Sequence, residues 1–243
     1  MSAGSSHSWQ GQVRLGLGWA LFQGQAGDNQ PHAHHALQLV LAASPVRVWV
    51  AGQGECEAPG LLIGADVLHR LHPSPASLTL VYLDRQSRAG QQLAPVAGAA
   101  LRLLSAAQVS ALQAALRSPE AVHPDQLLLR HLGSAATGEA LSDHWLAPLE
   151  AALAGPASAD QLARAMGLST PRFLHRVKAS TGLPLRPYRR WRRLIGALTA
   201  VLQGQSMTAA AHAAGFADAA HFTRTCRRHF GITPSALGRL AGS

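Results

Sequence analysis

The 243-residue sequence has few cysteines, no long apolar run and almost no acidic residues in its last third. Its two cysteines, Cys56 and Cys226, provide neither a disulfide framework nor a paired-cysteine metal motif. No segment approaches the roughly 18 consecutive apolar residues of a membrane helix. The N-terminus has neither the basic start nor the apolar run of a secretory signal. The sequence therefore predicts a cytoplasmic protein with no membrane partner.

Charge is distributed unevenly along the chain. Residues 156–243 contain thirteen basic residues and two acidic ones, a net charge of +11, whereas residues 1–155 contain eight arginines and ten acidic residues, a net charge of −2. A nearly neutral body joined to a strongly basic tail indicates a polyanionic partner for the tail, either nucleic acid or an anionic surface. A solvent-exposed basic face without a partner would have the same composition.

Hydrophobic residues make up 47% of the sequence, which is enough for a buried core. In the first third they form short runs between turn residues, at Val13–Phe22, Leu37–Ala42, Val46–Gly52, Leu61–Leu71 and Leu78–Leu83. Short strands with turns at intervals of about 8–12 residues favour an antiparallel barrel or sandwich. We predict no helix in this part of the sequence.

Helical patterns begin at Ser105. They cover Ser105–Arg117, His123–Leu132 and Ser142–Gly155. In the first of them Val109, Leu112 and Leu116 form an apolar stripe, which would either mediate self-association or pack on the protein's own barrel. A Gly-Pro-Ala-Ser segment at 155–158 follows, where the net charge changes sign. We place a domain boundary there.

The basic tail contains an internal repeat. Two sets of residues match, with one extra residue in the second copy after Phe216: Ala163, Gly167, Leu168, Phe173, Val177 and Gly182, then Ala211, Gly215, Phe216, Phe222, Cys226 and Gly231. Each set indicates two helices joined at a glycine turn, with a small alanine that lets them cross closely, which is a helix-turn-helix. Between the copies, Leu185–Leu202 is predicted to be one helix of about 27 Å. It would hold the two recognition helices about 34 Å apart, which is the length of one DNA turn.

The segment Gly215–Leu237, GFADAAHFTRTCRRHFGITPSAL, resembles the signature of the AraC/XylS family of bacterial transcription regulators. The resemblance rests on Gly215-Phe216, Phe222, Phe230-Gly231 and Pro234, and it extends upstream to Asp160. It implies that residues 155–243 are a DNA-binding domain of about seven helices, with helix-turn-helix units at about 159–181 and 207–230. Cys226 departs from the aromatic residue usual in the family, as does Val177, its counterpart in the first copy.

The first part of the chain is similar to the cupin-like sensor domain that many of these regulators carry. The similarity lies in residues 31–42 and 58–71, which resemble its two histidine-containing strands. It implies an α+β fold class: residues 1–154 as a small cupin-like β-barrel with a helical connector at about 105–154, followed by the all-α tail. A small-molecule effector in the barrel would then bias the arrangement of the tail.

Candidate DNA-contacting residues lie on the exposed side of each recognition helix. In the first recognition helix they are Pro171, Arg172, Leu174, His175 and Lys178, and in the second they are Ala219, Ala220, Thr223, Arg224 and Arg227. The family resemblance implies that base edges are reached by Pro171, Leu174 and His175, and by Ala219, Ala220, Thr223 and Arg224. Arg224 is the best candidate for a bidentate guanine contact, whereas Arg227 and Arg228 would hold phosphates. The first recognition helix has few polar side chains that could read bases. The alternative is that it contacts mainly the DNA backbone.

Histidines near residue 32 form the one dense group of candidate metal ligands in the sequence. His32 and His34 would share a strand face because side chains alternate. With His69 or His72, and Glu55 or Glu57, they could hold a divalent metal, and we take His32, His34 and His72 as the candidate set. The same histidines would otherwise line a pocket for a small-molecule effector or be purely structural.

Together these patterns predict a sequence-specific DNA-binding transcription regulator that is not an enzyme. Its expected partners are double-stranded DNA, RNA polymerase and a small-molecule effector, with a homodimer as a further arrangement. No cofactor beyond a divalent metal or that effector is implied. Two other classes compete with this interpretation. One is a metal-dependent cupin enzyme with an accessory basic tail, and the other is an architectural protein that binds all DNA sequences equally.

Overall fold

A computed structural model describes residues 9–27, 29–98, 100–117, 123–133, 157–181, 183–230 and 233–236, together with Leu149. Its strands are β1 (Gln10–Gly16), β2 (Trp19–Ala26), β3 (Ala36–Val50), β4 (Gly54–Ile63), β5 (His69–Leu71), β6 (Ser74–Asp84) and β7 (Leu101–Leu103). Its helices are α1 (Arg88–Ala97), α2 (Ala106–Arg117), α3 (Pro124–Leu132), α4 (Ala159–Ala165), α5 (Thr170–Thr181), α6 (Leu185–Leu202), α7 (Met207–Ala213) and α8 (Ala219–Phe230). No helix among these residues is long and apolar enough to cross a membrane.

The strands form one antiparallel sheet in the order β1-β2-β6-β3-β4-β7, with β5 paired to β3. The antiparallel sheet agrees with the predicted class, but the predicted barrel is not closed, because the edge strands β1 and β7 do not pair with each other within the described part of the chain. Alternate residues of the central strands point to two different cores. Leu39 and Val81 pack with α1, α2 and α3 on one face, whereas Val40 and Leu80 belong to the core that includes the tail helices. Both faces of the sheet are therefore buried, although the sheet does not close into a barrel.

Several strand boundaries differ from the sequence prediction. The run Val13–Phe22 is a hairpin of β1 and β2, because Gly18 adopts a left-handed backbone conformation and turns the chain. Two predicted runs merge into the long β3, whose pairing with β4 shifts register between Leu41 and Val46. Helix α1 was not predicted at all, since Gly90 and Pro95 are unfavourable residues within a helix.

Helix α2 lies where the sequence predicted it. Its apolar stripe, however, is not available for self-association. Val109, Leu112 and Leu116 are all buried against the sheet. Helix α2 lies so close to β4 that a Cβ atom at Gly60 would be 2.4 Å from Cγ2 of Val109. The stripe thus packs on the protein's own sheet and offers no surface for dimerisation.

This close approach predicts the effect of a methyl group at Gly60. We expect Gly60→Ala to lower the free energy of unfolding by about 1–3 kcal/mol, because α2 must move away from the sheet. Gly196→Ala is the matched control: a Cβ there meets nothing within 4 Å, and Gly196 lies inside α6. It should raise stability by about 0.5–1 kcal/mol. Urea denaturation of both variants measures the difference, and equal effects would contradict the packing of α2.

The tail contains helices α4 to α8, and α6 lies at its centre. The buried face of α6 consists of Leu185, Tyr188, Trp191, Leu194, Ala197 and Leu198. The helix predicted at 142–155 and the domain boundary at 155 lie outside the described residues, except for Leu149, which is buried. The predicted count of about seven tail helices stays a prediction.

The tail and the sheet share one apolar core. Tyr82 of β6 contacts Phe230 at the end of α8, with ring centroids 5.8 Å apart. Trp191 of α6 donates a hydrogen bond from Nε1 to the backbone oxygen of Gly16 in β1, at 2.6 Å. Ring packing and this hydrogen bond join the two halves of the chain.

Candidate nucleic-acid interface

The first helix-turn-helix unit consists of α4 and α5. Ser158 caps α4 through a reciprocal capping box with Gln161. At the other end of α4, Gly167 adopts a positive φ of 65°, and Leu168 N donates to Ala163 O at 2.9 Å. This is the glycine-terminated helix end that turns the chain sharply towards the next helix. Thr170 then donates to Asp160 at 2.6 Å, which ties the start of α5 to α4.

The second unit, α7 and α8, repeats this construction. Ser206 caps α7 by accepting from Ala209 N. Gly215 adopts a φ of 76°, and Phe216 N donates to Ala211 O at 2.9 Å, the same distance as in the first unit. Asp218 caps α8 by accepting from His221 N at 2.6 Å. The sequence repeat therefore corresponds to a repeat in backbone geometry, which predicts similar use of α5 and α8.

Helix α5 buries one side and exposes the residues predicted to contact DNA. Phe173 and Val177 are fully buried. Exposed side chains cover the rest of the helix: Pro171, Arg172, Leu174, His175 and Lys178. Leu174 is a large apolar residue with 38% of its surface exposed. Its apolar side chain could contact a thymine methyl group in the major groove.

Helix α8 has the same division into a buried and an exposed side. Its buried residues are Phe222, Cys226, His229 and Phe230. Ala220, Arg224 and Arg227 are exposed, and Ala219 and Thr223 are half-buried. The Thr223 hydroxyl donates to Ala219 O at 2.8 Å, so its proton is already used within the helix. Arg224 is then the one long polar side chain among the predicted base-reading positions of α8.

A wide cleft separates the exposed side of α5 from the start of α6. Four basic side chains line it: His175, Lys178, Arg186 and Arg189. Arg189 donates to the backbone oxygen of Ala157, which fixes it as a structural residue. Lys178 and Arg186 give the cleft a positive charge, and His175 lies beside them.

The C-terminal end of α8 packs against the sheet, a contact that the sequence did not reveal. His35 N donates to Arg228 O at 2.9 Å, and the Arg228 guanidinium donates to His35 Nε2. His35 Nδ1 in turn donates to Asp66, which also accepts from Arg85 at 2.6 Å. Arg228, which we expected to hold a phosphate, is held here by the sheet. No sequence signal links His35 to Arg228, because 193 positions separate them.

The candidate metal ligands are only partly brought together. His32 and His34 meet His69, and reciprocal backbone hydrogen bonds of 2.9 Å join His32 to His69. His72 does not belong to this group: its Nε2 lies 3.1 Å from the Glu55 carboxylate. The candidate set is therefore corrected to His32, His34 and His69. His32 and His34 lie in the segment before β3 and not, as the sequence had suggested, on a strand, whereas His69 begins β5.

Comparison with known proteins identifies the tail. Residues 162–239 match the model of a helix-turn-helix domain family. The tail is an AraC-type helix-turn-helix domain. The match covers the region in which the AraC/XylS signature was found, and it confirms that resemblance. It also confirms the predicted class of function, a DNA-binding transcription regulator.

Several solved structures are similar to this chain, which carries the AraC-type domain. ToxT from Vibrio cholerae bound to an unsaturated fatty acid is 10% identical, covering 93% of this chain and 96% of that chain, with a TM-score of 0.45. An apo ToxT variant from the same organism is 9% identical over 92% and 98%, with a TM-score of 0.48. An AraC-type transcriptional regulator from Chromobacterium violaceum is 28% identical over 40% and 88%, with a TM-score of 0.36. No curated protein matches the sequence.

Proposed function

We propose that the chain is an effector-responsive regulator that inserts α5 and α8 into successive major grooves on one face of DNA. The repeated geometry of the two helix-turn-helix units is the observation that carries this proposal. Helix α6 has 18 residues and is about 27 Å long, which suits two recognition helices near one DNA turn apart. Bound in this way, the protein would act on transcription by RNA polymerase.

Phosphate and base contacts would have separate roles in this complex. The exposed arginines of α6, among them Arg186, Arg190 and Arg193, would contact phosphates and set the position of the domain. Base recognition falls to the N-terminal halves of α5 and α8, as in other helix-turn-helix proteins. Their outer sides stay exposed while the end of α8 contacts the sheet, so docking holds Arg228 without covering Arg224.

The sheet would regulate DNA binding through the end of α8. His35, Asp66 and Arg85 form a polar chain that ends on Arg228, and Tyr82 packs on Phe230 beside it. An effector that changes this part of the sheet would change how firmly α8 is held. Regulation of DNA binding by the first half of the chain then needs no contact between the effector and DNA.

Arg224 provides the test of base reading. We expect Arg224→Ala to weaken binding to the best operator by about 1–3 kcal/mol and to flatten the preference at a single base pair, because Arg224 is the one long polar side chain among the predicted base-reading positions of α8. The matched control is Arg190→Ala, which should weaken binding to all sequences about equally. Gel shifts at fixed salt, on the operator and on its single-base variants, measure both. Equal loss on every variant for Arg224→Ala would show a phosphate contact and overturn the assignment.

The same gel shifts separate the regulator from the metal-dependent enzyme considered as the alternative. A regulator of this kind discriminates between operator and unrelated DNA by a factor of about 10³ or more. An enzyme with an accessory basic tail, or an architectural protein, would bind both with similar affinity.

A further inference from the structure

His32, His34 and His69 form a compact group next to the docked end of α8. One ring nitrogen of each lies within 4.8 Å of the others. The ring centroids are 4.7 to 5.6 Å apart. His34 and His69 are buried and His32 is half-buried, so one side of the group faces outward. Three histidines at these distances can share one ligand.

Each of these histidines is held through the same ring atom. Nδ1 lies against a backbone oxygen in all three: 2.8 Å from Gln30 for His32, 2.9 Å from Ala36 for His34 and 2.8 Å from Val67 for His69. A backbone oxygen only accepts hydrogen bonds, so Nδ1 carries the proton and Nε2 keeps its lone pair. Metal-binding histidines are oriented by this kind of outer contact, which fixes the tautomer and the ring position.

With Nδ1 protonated in each ring, the group offers three ring nitrogens, one from each histidine, that lie within 4.8 Å of one another. Gln38 Oε1 lies 2.9 Å from Nε2 of both His34 and His69. Without a ligand, the Gln38 amide can turn its NH₂ group to these two lone pairs. With a cation present, its oxygen is placed to be a further ligand.

We propose that His32, His34 and His69 bind one divalent transition-metal ion of the Zn²⁺ and Co²⁺ class, and that this ion is the effector. Neutral imidazoles are preferred ligands of such ions, and sites with three histidines are well suited to Zn²⁺. Zinc–nitrogen bonds of about 2.0–2.1 Å place tetrahedral ligand atoms about 3.3 Å apart. The side chains would therefore close inward on binding. The regulatory half of this inference rests on the function proposed above.

Two contacts connect the histidine group to the end of α8. The His34 ring lies 5.3 Å from Tyr82, and Tyr82 lies 5.8 Å from Phe230 of α8. A bound ion would draw the His34 ring, which packs against Tyr82, inward. Metal binding should thus weaken the docking of α8 and release Arg228 for a phosphate contact.

The metal site is tested on the full chain, without DNA, after treatment with a chelator. Titration with Zn²⁺ by calorimetry should give one ion per chain, and Co²⁺ should give the visible absorption of a nitrogen-ligated tetrahedral ion. His32→Gln and His69→Gln should weaken Zn²⁺ binding by more than about 100-fold. This exceeds the 10–100-fold loss of metal affinity that is typical when a residue hydrogen-bonded to a ligand is replaced. The matched control is His72→Gln, which should bind like the unchanged protein.

Three outcomes would overturn the site: no saturable binding, equal binding by His32→Gln and the control, or failure of X-ray absorption on the zinc-loaded protein to show three imidazole ligands. The last measurement needs no variant, so it does not depend on whether His69→Gln folds.

Operator binding is then compared for the metal-free and zinc-loaded protein, and we expect tighter binding by a factor of about 5–150 with zinc. An unchanged affinity would overturn the effector role. Absence of specific DNA binding in both forms would instead overturn the proposed function and leave the metal site standing.

Discussion

Operator binding is expected to weaken by about 10⁴-fold when monovalent salt rises from 50 to 200 mM, because a tail of this charge displaces many counterions from DNA. Ten exposed arginines and lysines lie on the described helices of the tail: Arg164, Arg172, Arg176, Lys178, Arg186, Arg190, Arg193, Arg224, Arg227 and Arg228. If eight of them neutralise phosphates, the slope of log affinity against log salt is about −7. Gel shifts at four or more salt concentrations give this slope directly.

A single-residue control makes the salt experiment specific. Arg190→Ala removes one charge on α6 and should reduce the slope by about 1, whereas Arg117→Ala, at the exposed end of α2, should leave it unchanged. A slope near zero for the unchanged protein would remove the electrostatic basis of DNA binding.

Replacement of Trp191 by alanine should lower the free energy of unfolding by about 3–5 kcal/mol, one of the largest effects expected of a single substitution. Trp191 is 1% exposed and packs against Phe230 and His229, with ring centroids 5.6 and 6.1 Å away. Its Nε1 donates to Gly16 O at 2.6 Å. The substitution removes ring packing within the tail and a hydrogen bond between the tail and the sheet.

Trp191→Phe separates these two contributions. It keeps an aromatic ring in the core but leaves the Gly16 oxygen without its donor, which should cost about 1–3 kcal/mol. Urea denaturation of the full chain, followed by circular dichroism, measures both variants. A loss below about 1 kcal/mol for Trp191→Ala would contradict the burial of this residue between the two halves.

The tail was predictable from sequence because its signals are local and occur twice. Glycine at a helix end, alanine at a helix crossing and apolar spacing within a helix all act over a few residues, and both copies carry them. The bounds of α5, α6 and α8 follow from such signals. The exposed sides of the recognition helices follow in turn, since burial of Phe173 and Phe222 fixes the opposite side of each helix.

The first half was predictable in its class but less so in its details. Strand content follows from local patterns, whereas pairing order and closure depend on contacts between distant segments. The choice between His69 and His72 shows this clearly. The two residues are three positions apart in sequence, and only the pairing of His69 with Val50 and His32 decides which one joins the group. Likewise, the contact between His35 and Arg228 depends on how the tail packs on the sheet.

The most direct test of the central claim is selection of bound sequences from random double-stranded DNA, followed by hydroxyl-radical footprinting of the full chain on the selected site. If α5 and α8 read successive major grooves, one conserved site should emerge with two protected segments about 10–10.5 base pairs apart on the same face of the DNA. Arg224→Ala should lose sequence preference in only one of them. Recovery of unrelated sequences with uniform protection would show binding without base recognition and would contradict this account.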